Sequence, residues 1–548
     1  MGRRLREAEP ATLVFAGVAL LSAAALLYWL SDLTFWRDEW DFLLHRRGFN
    51  VETYLDPFVE HLLAPSIGAY QLTVAVFGME SAAPTQVIAV ALFITDVVLL
   101  FVYLRRRVDG WLALAAVMPI LFLGPSWDDL LFPFQMAFFG SIAGGIGALL
   151  ALEARTRRGD VVATVLLAIS LLWSGLGVPF VIMVFVDLAL TRDRFRRAFV
   201  FVIPTALYAI WYLGWGREAT TFISFHNLQT LIGYVADGIA SGLSTLIGLA
   251  VPRDEMGVSS LDWGRPLLVV ALGFGVWRVA RVGIREMPAR FWAVLAGLLS
   301  FWTLTGLNAA VFGQPTSGRY QLVGVVLTVM LAAELLRGVR VRGWVIATVL
   351  GASLLATLAN LSMLENNARG LAGVAERQRA GLAALELTRD EVDPAFQLTE
   401  ANSGVDYLGV LDAGSYFSAI DAHGSPAFTP AELAASSEVA RSSADGVFAA
   451  ALDLRLVPVA PSAGSSCGAV PLGGALSTVP IPPTGVVLHS DDARADVRLR
   501  RYATTSFPAD LGGLRPGDSV ELAIPADGSN QPWELGLEGT GTVEVCAR

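Results

Sequence analysis

Long apolar runs recur through the first two thirds of the chain and stop after residue 363. Most of them approach the ~20 residues that an α-helix needs to cross a bilayer. The run at 161–190 is longer and is interrupted by Ser and Gly at 173–177, so we expect two short helices there. The sequence therefore predicts eleven membrane-spanning helices. The runs are 11–30, 85–104, 110–124, 134–152, 161–190, 198–215, 266–280, 291–311, 321–337 and 343–363.

The arginines between these runs indicate an orientation. Cytoplasmic loops collect Arg and Lys. An inner N-terminus places 20 of the 27 arginines of residues 1–363 on the cytoplasmic side, whereas the opposite orientation places seven there. We therefore expect a multi-pass protein of the cytoplasmic membrane with its N-terminus inside and its C-terminal domain outside. The first run is too long for the core of a signal peptide and is interpreted as a retained span.

Two further apolar stretches, 57–80 and 228–251, do not fit this topology as spans. Spanning the second one would place the arginines at 278–290 outside. Both stretches are typical of amphipathic segments that lie along the membrane surface. The sequence therefore predicts two long outer loops, at about 32–84 and 216–265.

The tail has a different pattern. Residues 364–400 are rich in Ala, Leu, Arg and Glu and predict a helix, which a mixed region follows to about 450. Short alternating runs separated by Pro and Gly then predict a β-sandwich. We divide the chain into a transmembrane domain (1–363), a helical or mixed extracytoplasmic segment (364–450) and a β-sandwich similar in shape to carbohydrate-binding domains (451–548). The predicted strands are 453–457, 485–489, 495–499, 519–524, 533–538 and 542–545.

Composition agrees with a membrane protein and narrows its partners. The chain is 54% hydrophobic and 16% charged, against about a quarter charged in soluble domains. Residues 364–548 hold 12 Arg and 24 acidic residues, and an acidic tail argues against binding nucleic acid. The lack of Lys suggests a GC-rich, actinobacterial genome. Cys467 and Cys546 both lie in the tail, where either a disulfide or two free thiols is consistent with the sequence.

Two polar motifs lie in the first outer loop. Asp38-Glu39 follows the first span directly, where a carboxylate is costly unless it is solvated or paired. A polar helix end with interfacial Trp residues would have the same appearance. Glu60-His61 interrupts an apolar segment and could bind a metal, orient a base or hold a phosphate. An interfacial pair facing water is the structural alternative.

Two more motifs lie farther along the chain. Asp128-Asp129 is in the second outer loop, and Gln135 lies just inside the next span. A solvated loop and an interhelical hydrogen bond are their structural alternatives. Arg319-Tyr320 begins a late span, where an Arg can hold a phosphate through two hydrogen bonds or extend to the lipid headgroups.

Together, the order and topology of these motifs resemble the GT-C superfamily of polytopic membrane glycosyltransferases. The resemblance covers about residues 1–363. It rests on Asp38-Glu39 after the first helix, Glu60-His61, the acidic pair Asp128-Asp129, and Arg319-Tyr320. A proline-containing run after the Arg-Tyr, frequent in relatives, is missing here.

The resemblance implies an enzyme that transfers a sugar from a polyprenyl-phosphate donor to a cell-envelope glycan or lipid acceptor on the outer face, with inversion. Membrane lipid is the surrounding partner. Catalysis is assigned to Asp38 and Glu39, and a divalent ion held by these residues or His61 is left open. A flippase for lipid-linked glycans and a non-enzymatic glycan-binding protein are the alternatives. Binding of donor phosphate or substrate is assigned to Glu60, His61, Asp128, Asp129, Gln135, Arg319 and Tyr320.

Overall fold

The computed structural model describes residues 9–250, 260–308, 313–460 and 467–548. The chain divides into two compact units. Unit 1 comprises Met1–Ser31, Gly48–Tyr70 and Ala83–Arg369, and unit 2 comprises Asp32–Arg47, Gln71–Ala82 and Gly370–Arg548. Unit 2 thus includes two segments of the first predicted outer loop. The sequence-based domain boundaries remain predictions.

Every predicted span falls on helical structure in the part of the chain that the structure describes. The interruption at 173–177 is present as a break between the helices Arg157–Trp173 and Gly177–Ala189. The α-helices beginning before residue 370 are α1 (Pro10–Leu30), α2 (Glu39–Leu44), α3 (Val51–Leu55), α4 (Ala64–Phe77), α5 (Ala83–Arg105), α6 (Gly110–Val117), α7 (Trp127–Leu130), α8 (Met136–Leu152), α9 (Arg157–Trp173), α10 (Gly177–Ala189), α11 (Arg194–Arg197), α12 (Phe199–Gly214), α13 (Phe225–Leu246), α14 (Gly264–Val282), α15 (Ala289–Leu307), α16 (Gly318–Leu336) and α17 (Gly343–Leu387). Short 3-10 turns occur at Ile120–Phe122, Gly124–Ser126, Pro133–Gln135 and Gly216–Glu218.

Several of these helices are long and apolar enough to cross a membrane. Among the described residues six qualify by length and composition, and the bent pair Gly110–Phe122 and Gly124–Leu130 makes a seventh if it is one span. Helices α10 and α12 are apolar but shorter. The structure therefore confirms a mostly helical chain with several apolar helices, whereas the count of eleven spans stays a prediction. The six are α1, α5, Pro133–Leu152 (α8 with its preceding turn), α15, α16 and α17.

Glycines let α8 pack closely against its neighbours. A Cβ at Gly140 would lie 2.2 Å from the Trp173 ring, and one at Gly145 would lie 2.2 Å from the Phe180 ring. Small residues allow such close approach between membrane helices. Trp173 and Phe180 lie on either side of the α9–α10 break, so this packing fixes the position of the break.

An ion-pair network joins the helix ends that the arginine pattern assigns to the cytoplasm. Arg107, after α5, pairs with the fully buried Glu334 of α16 and lies 2.5 Å from Glu153, which follows α8. Arg197 pairs with Asp160 of α9 at 2.5 Å, and Arg290 of α15 pairs with Asp187 of α10 at 2.9 Å. These contacts bring the ends together at one end of unit 1, as expected if those loops share one side of the membrane.

The helices of unit 2 cover most of the region predicted to be mixed. Helix α17 continues into this unit without interruption as far as Leu387. The predicted span at 343–363 and the predicted helix at 364–400 therefore belong to one continuous helix, which ends at Leu387. The later α-helices are α18 (Glu400–Ser403), α19 (Ala413–His423), α20 (Pro430–Ala435) and α21 (Glu438–Ala451).

The rest of unit 2 is an antiparallel sheet, which confirms the predicted β domain. Eight strands belong to one hydrogen-bonded sheet in the described residues. Strand β8 is central, because its first half pairs with β3 and β5 and its second half with β2 and β4. The strands are β1 (Val457–Pro458), β2 (Cys467–Gly473), β3 (Ser477–Pro480), β4 (Gly485–Ser490), β5 (Arg494–Arg500), β6 (Ala509–Leu514), β7 (Ser519–Ala523) and β8 (Glu534–Ala547).

The two cysteines form a disulfide. Cys467 and Cys546 lie directly opposite each other where β2 pairs with β8. The structure thus selects the bonded alternative of the two that the sequence left open.

Candidate functional site

The acidic pair of the second outer loop lies beside the beginning of α16. Asp129 is fully buried, and both its carboxylate oxygens are without a hydrogen-bond partner among the described residues. Asp128 is half-buried. A Cβ at Gly318 would lie 2.5 Å from Oδ1 of Asp128, and Ser126 Oγ donates to the Gly318 carbonyl at 3.1 Å. A glycine is therefore needed where α16 begins against this loop.

Arg319 is the exposed cation of this region. Its guanidinium interacts electrostatically with Asp128 and Asp129. It forms no ion pair with any residue that the structure describes, since no carboxylate oxygen lies within 4.0 Å of it. Its nearest aromatic contact is the Tyr320 ring, 6.0 Å away. The guanidinium is thus near two carboxylates but keeps its donors available.

A tight turn presents Glu60 and His61. Phe58 and His61 exchange two backbone hydrogen bonds of 2.9 Å, which leaves Val59 and Glu60 as the central residues of the turn. Val59 adopts a positive φ of 53°, an unusual conformation for a β-branched residue. Nε2 of His61 lies 3.5 Å from Oε1 of Glu60.

The surroundings of His61 favour its neutral form. Burial lowers the pKa of the imidazole, and the Glu60 carboxylate acts in the opposite direction. The edge of the ring faces Phe138, with ring centroids 6.2 Å apart. His61 therefore carries one N–H and one acceptor nitrogen at neutral pH.

Tyr320 lies within electrostatic range of four other predicted residues. This side chain interacts electrostatically with Arg319, Glu60, Asp128 and Asp129. We call these five residues the Arg319 cluster. They come from three separate regions of the chain and all belong to unit 1.

Gln135 lies near the Glu60-His61 turn, but the contacts with that turn are made by residues next to Gln135 in the sequence. It ends the 3-10 turn Pro133–Gln135, and its Oε1 is buried without a partner in the described chain. The Phe134 ring packs on Phe58 at 5.3 Å, and Phe138 contacts His61. Gln135 is thus held between two residues that touch the Glu60-His61 turn.

The predicted catalytic pair lies in unit 2. Asp38 precedes α2 as its N-cap residue. Glu39 is fully buried and accepts the backbone N–H of Trp36 at 2.8 Å. Arg37 pairs with Asp406 of the same unit at 3.1 Å. Glu39 therefore has a structural role at the beginning of the helix, and the catalytic assignment of both residues stays a prediction.

Sequence reasoning missed three residues close to the predicted ones. Tyr234 of α13 interacts electrostatically with Arg319 and Tyr320, and burial raises the pKa of its phenol. Its hydroxyl is buried without a partner among the described residues. Gly175 and Tyr208 lie beside His61. The glycine could have been noticed within the 173–177 interruption, but the tyrosines lie in apolar or amphipathic helices and carry no local signal.

A metal site is not formed by the residues that the structure describes. No group of three or more His, Cys, Asp or Glu side chains converges there with metal-binding geometry. No step below is therefore assigned to a metal.

Comparisons with known proteins give a remote structural likeness. The sequence matches no family model and no curated protein. The chain is similar to the crystal structure of ArnT from Cupriavidus metallidurans bound to undecaprenyl phosphate, with 13% identity, a TM-score of 0.45, and coverage of 71% of this chain and 82% of that one. The same protein in its apo state gives 12% identity, a TM-score of 0.44, and coverage of 71% and 81%. Because both TM-scores are below 0.5, the likeness assigns no ligand and no activity to this chain.

Proposed function

We propose that this chain is a GT-C-type glycosyltransferase. It transfers a sugar from a polyprenyl-phosphate donor to a cell-envelope glycan or lipid acceptor, with inversion at the anomeric carbon. The observation that carries this proposal is the Arg319 cluster, in which an exposed guanidinium without an ion pair to a described residue interacts electrostatically with two carboxylates and precedes a tyrosine.

Arg319 is the proposed site of the donor phosphate. A guanidinium can hold two phosphate oxygens through parallel hydrogen bonds. These bonds strengthen as the sugar–phosphate bond breaks and charge accumulates on the leaving phosphate. Tyr320 and the neutral His61 imidazole add uncharged donors. The phosphate is a good leaving group, so no strong acid is required.

Asp38 is the proposed general base, a role taken from the family resemblance. It accepts the proton of the acceptor hydroxyl while that oxygen bonds to the anomeric carbon and the bond to phosphate breaks. A base of this kind contributes roughly 10²–10⁴-fold. Glu39 and Asp128 are proposed to orient the acceptor.

The location of the reaction follows from the arginine pattern. The ion-pair network and the Arg319 cluster lie at opposite ends of α16, since Glu334 is near its end and Arg319 near its beginning. Nineteen residues of helix span about 28 Å. If the network is cytoplasmic, as the positive-inside rule predicts, then the cluster lies at the outer face. The C-terminal domain is proposed to lie on that side.

Glycan binding by the tail is a separate part of the proposal. In residues 467–548 the aromatic side chains are Tyr502, Phe507 and Trp533, which are buried or half-buried. Sugar binding by the described sheet would therefore use polar side chains and not stacking on an exposed ring.

The test is release of free polyprenyl phosphate from labelled polyprenyl-phosphate sugars, including arabinofuranose and mannose, with glycan acceptors present. We expect release by the wild type and by Asp32→Asn, an exposed aspartate in the same loop. Asp38→Asn should express normally and release none. Near-normal turnover by Asp38→Asn would refute its role as the base, and no release by any protein across the panel would refute the enzyme.

One observation favours a second candidate, a transporter of lipid-linked glycans. Asp96 lies in the middle of α5, 3% exposed, and neither carboxylate oxygen has a hydrogen-bond partner among the described residues. Ionisable groups inside a membrane often mark transport pathways. Translocation of a labelled polyprenyl-phosphate sugar across proteoliposomes without sugar transfer, lost in Asp96→Asn, would favour this candidate over the enzyme.

A further inference from the structure

Two loops that the sequence predicts to be cytoplasmic carry arginines without ion pairs. One loop leads into α9, and the other joins α10 to α12. Six arginine side chains in these loops and in the first turn of α9 are exposed, and no carboxylate oxygen of a described residue lies within 4.0 Å of them. Each guanidinium is therefore free to bind an anion. The six are Arg155, Arg157, Arg158, Arg192, Arg194 and Arg196.

The two loops are neighbours in the fold. Arg197, which ends α11, pairs with Asp160 in the first turn of α9 at 2.5 Å and donates to the carbonyl of Leu152 at 3.3 Å. Helices α9 and α12 also pack against each other. Both helices therefore begin at the same end of unit 1, and three of the unpaired arginines precede or begin each of them.

The acidic residues of these loops neutralise little of this charge. Asp160 is held by Arg197, and Glu153 pairs with two arginines that follow α5, at 2.6 and 2.5 Å. Asp193 is exposed and forms no ion pair with a described residue. Six unpaired arginines thus lie near one unpaired aspartate, and this end of α9 and α12 is strongly positive.

Exposed apolar faces continue from the arginines along both helices. On α9 and on α12 the exposed apolar residues begin within about one turn of the arginines and stay on one side of the helix. Such faces lie against acyl chains if the two helices cross the membrane, as the sequence predicts, and arginines at the helix ends then lie at the headgroups. The residues are Val161, Val162, Val165, Ile169 and Leu172 on α9, and Val202, Ile203, Leu207 and Ile210 on α12.

An exposed phenylalanine lies among the arginines. Phe195 is 83% exposed, and the guanidinium of Arg194 lies 5.0 Å from the centre of its ring. A large apolar side chain between basic ones is typical of segments that insert at the boundary between headgroups and acyl chains. We call Phe195 and the six unpaired arginines the basic surface.

We propose that the basic surface binds the headgroup of an anionic phospholipid in the cytoplasmic leaflet. A guanidinium holds two phosphate oxygens through parallel hydrogen bonds. Basic sites between membrane helices on the cytoplasmic side bind acidic headgroups in this way. The acyl chains of the lipid lie along the exposed faces of α9 and α12, which free phosphate cannot use.

The basic surface is separate from the Arg319 cluster. The Glu60-His61 turn lies beside Gly175, just beyond the end of α9, whereas the arginines lie at the beginning of this helix. Seventeen residues of helix span about 25 Å. The proposal therefore does not rest on the proposed function, and either can fail without the other.

Binding is measured by native mass spectrometry of the full chain in detergent, with dioleoyl phosphatidylglycerol or dioleoyl phosphatidylcholine added. The test variant removes three charges from one loop and combines Arg192→Gln, Arg194→Gln and Arg196→Gln. The matched control removes three exposed arginines, also without ion pairs to described residues, from other loops predicted to be cytoplasmic. This control combines Arg285→Gln, Arg340→Gln and Arg342→Gln. Thermal unfolding checks that each variant is folded.

We expect phosphatidylglycerol to bind at least about tenfold more tightly than phosphatidylcholine. The test variant should lose most of this preference, because each arginine near a membrane surface contributes roughly fivefold in affinity for acidic lipid. The matched control and Arg319→Ala should keep it. A second test variant, which combines Arg155→Gln, Arg157→Gln and Arg158→Gln, keeps the test decisive if the first does not fold.

Three results would overturn the basic surface as a lipid site. Equal affinity for the two lipids would show that the headgroup charge is not recognised. An equal loss in the matched control, or a loss in Arg319→Ala alone, would place the bound lipid elsewhere. Displacement of phosphatidylglycerol by millimolar inorganic phosphate would indicate a site for free phosphate, in which the apolar faces play no part.

Discussion

Replacing Arg319 by Ala should remove donor binding while leaving the fold intact. The side chain is exposed and forms no ion pair with a described residue, so we expect the free energy of unfolding to change by no more than about 0.5 kcal/mol. The affinity for the donor phosphate should fall by much more than the stability. A hydrogen bond to a charged group contributes about 1.5–3 kcal/mol, and the guanidinium can offer two.

The exposed position of Arg319 sets the size of the expected loss in binding free energy. Solvent at the exposed guanidinium screens part of its attraction for phosphate, so we expect about 3 kcal/mol in total, or roughly 10²-fold in affinity. Arg319→Lys keeps the charge but not the planar fork. It should therefore fall between the wild type and Arg319→Ala.

The assay is binding of decaprenyl phosphate to protein in nanodiscs, together with kcat/KM for sugar transfer. Arg285→Ala is the control, because Arg285 is also exposed and forms no ion pair with a described residue. Unchanged affinity in Arg319→Ala, or an equal loss in Arg285→Ala, would refute the assignment of the phosphate to Arg319.

Three further predictions concern stability. Burial raises the pKa of Asp445 to about 6 although it accepts the backbone N–H groups of three residues at 501–503. The carboxyl group of Asp445 therefore binds its proton more tightly in the folded state than in the unfolded state. The stability of the wild type relative to Asp445→Asn, from thermal unfolding, should fall by up to about 3 kcal/mol as the pH rises from about 4 to about 6. A stability difference between the two proteins that does not change with pH would contradict the raised pKa of Asp445. Replacing both Cys467 and Cys546 by Ser should destabilise unit 2 by about 2–4 kcal/mol. Reduction of the disulfide in the wild type should lower the free energy of unfolding by the same amount, measured by denaturant unfolding. An unchanged free energy in both the double variant and the reduced wild type would contradict this prediction. Asp96→Leu should raise the thermal midpoint, since it removes a buried carboxylate without a described partner. A lower thermal midpoint would instead indicate that the Asp96 carboxyl group stabilises the fold.

The elements that could be predicted from the sequence are those whose signal is local. The apolar runs and the Ser-Gly interruption at 173–177 each contain their own pattern, and both are present in the structure. Strands β2, β3 and β6 were not predicted. The sequences of β2 and β6, CGAVPLG and ADLGGL, are rich in Gly and poor in strand-forming residues, and β3 has only four residues. Their strand structure comes from pairing with β8 and β5.

Glycine also misled the prediction in the opposite direction. The pattern indicated two strands, 533–538 and 542–545, separated by a turn. The structure has a single strand, β8, that passes through Gly539 and Gly541. A Cβ at Gly539 would lie 2.0 Å from the Arg494 carbonyl, and Gly541 has a φ of 96°. The glycines there permit close approach and bending within a strand, which local sequence cannot distinguish from a turn.

The site could be predicted only where polar groups interrupt an apolar pattern. Glu60, Asp128 and Arg319 were found in this way, and in the structure each of them interacts electrostatically with Tyr320. Tyr208 and Tyr234 contribute their hydroxyls from helices whose pattern they do not disturb. Their relevance depends on which helices are neighbours, and that is a property of tertiary packing.

The distribution of charge along α16 explains why the cluster and the network can be altered separately. Glu334 is fully buried against Arg107 and Tyr103 near one end of the helix. Removing its charge leaves the buried Arg107 with Glu153 as its remaining ion-pair partner and should act on stability. Arg319, near the other end, is exposed and should act on ligand binding. The stretch of α16 between them packs through apolar residues such as Leu322 and Val326, which lie close to Asp96. Asp96 is therefore the ionisable group whose replacement best distinguishes a transfer site confined to one helix end from a pathway that crosses the bundle.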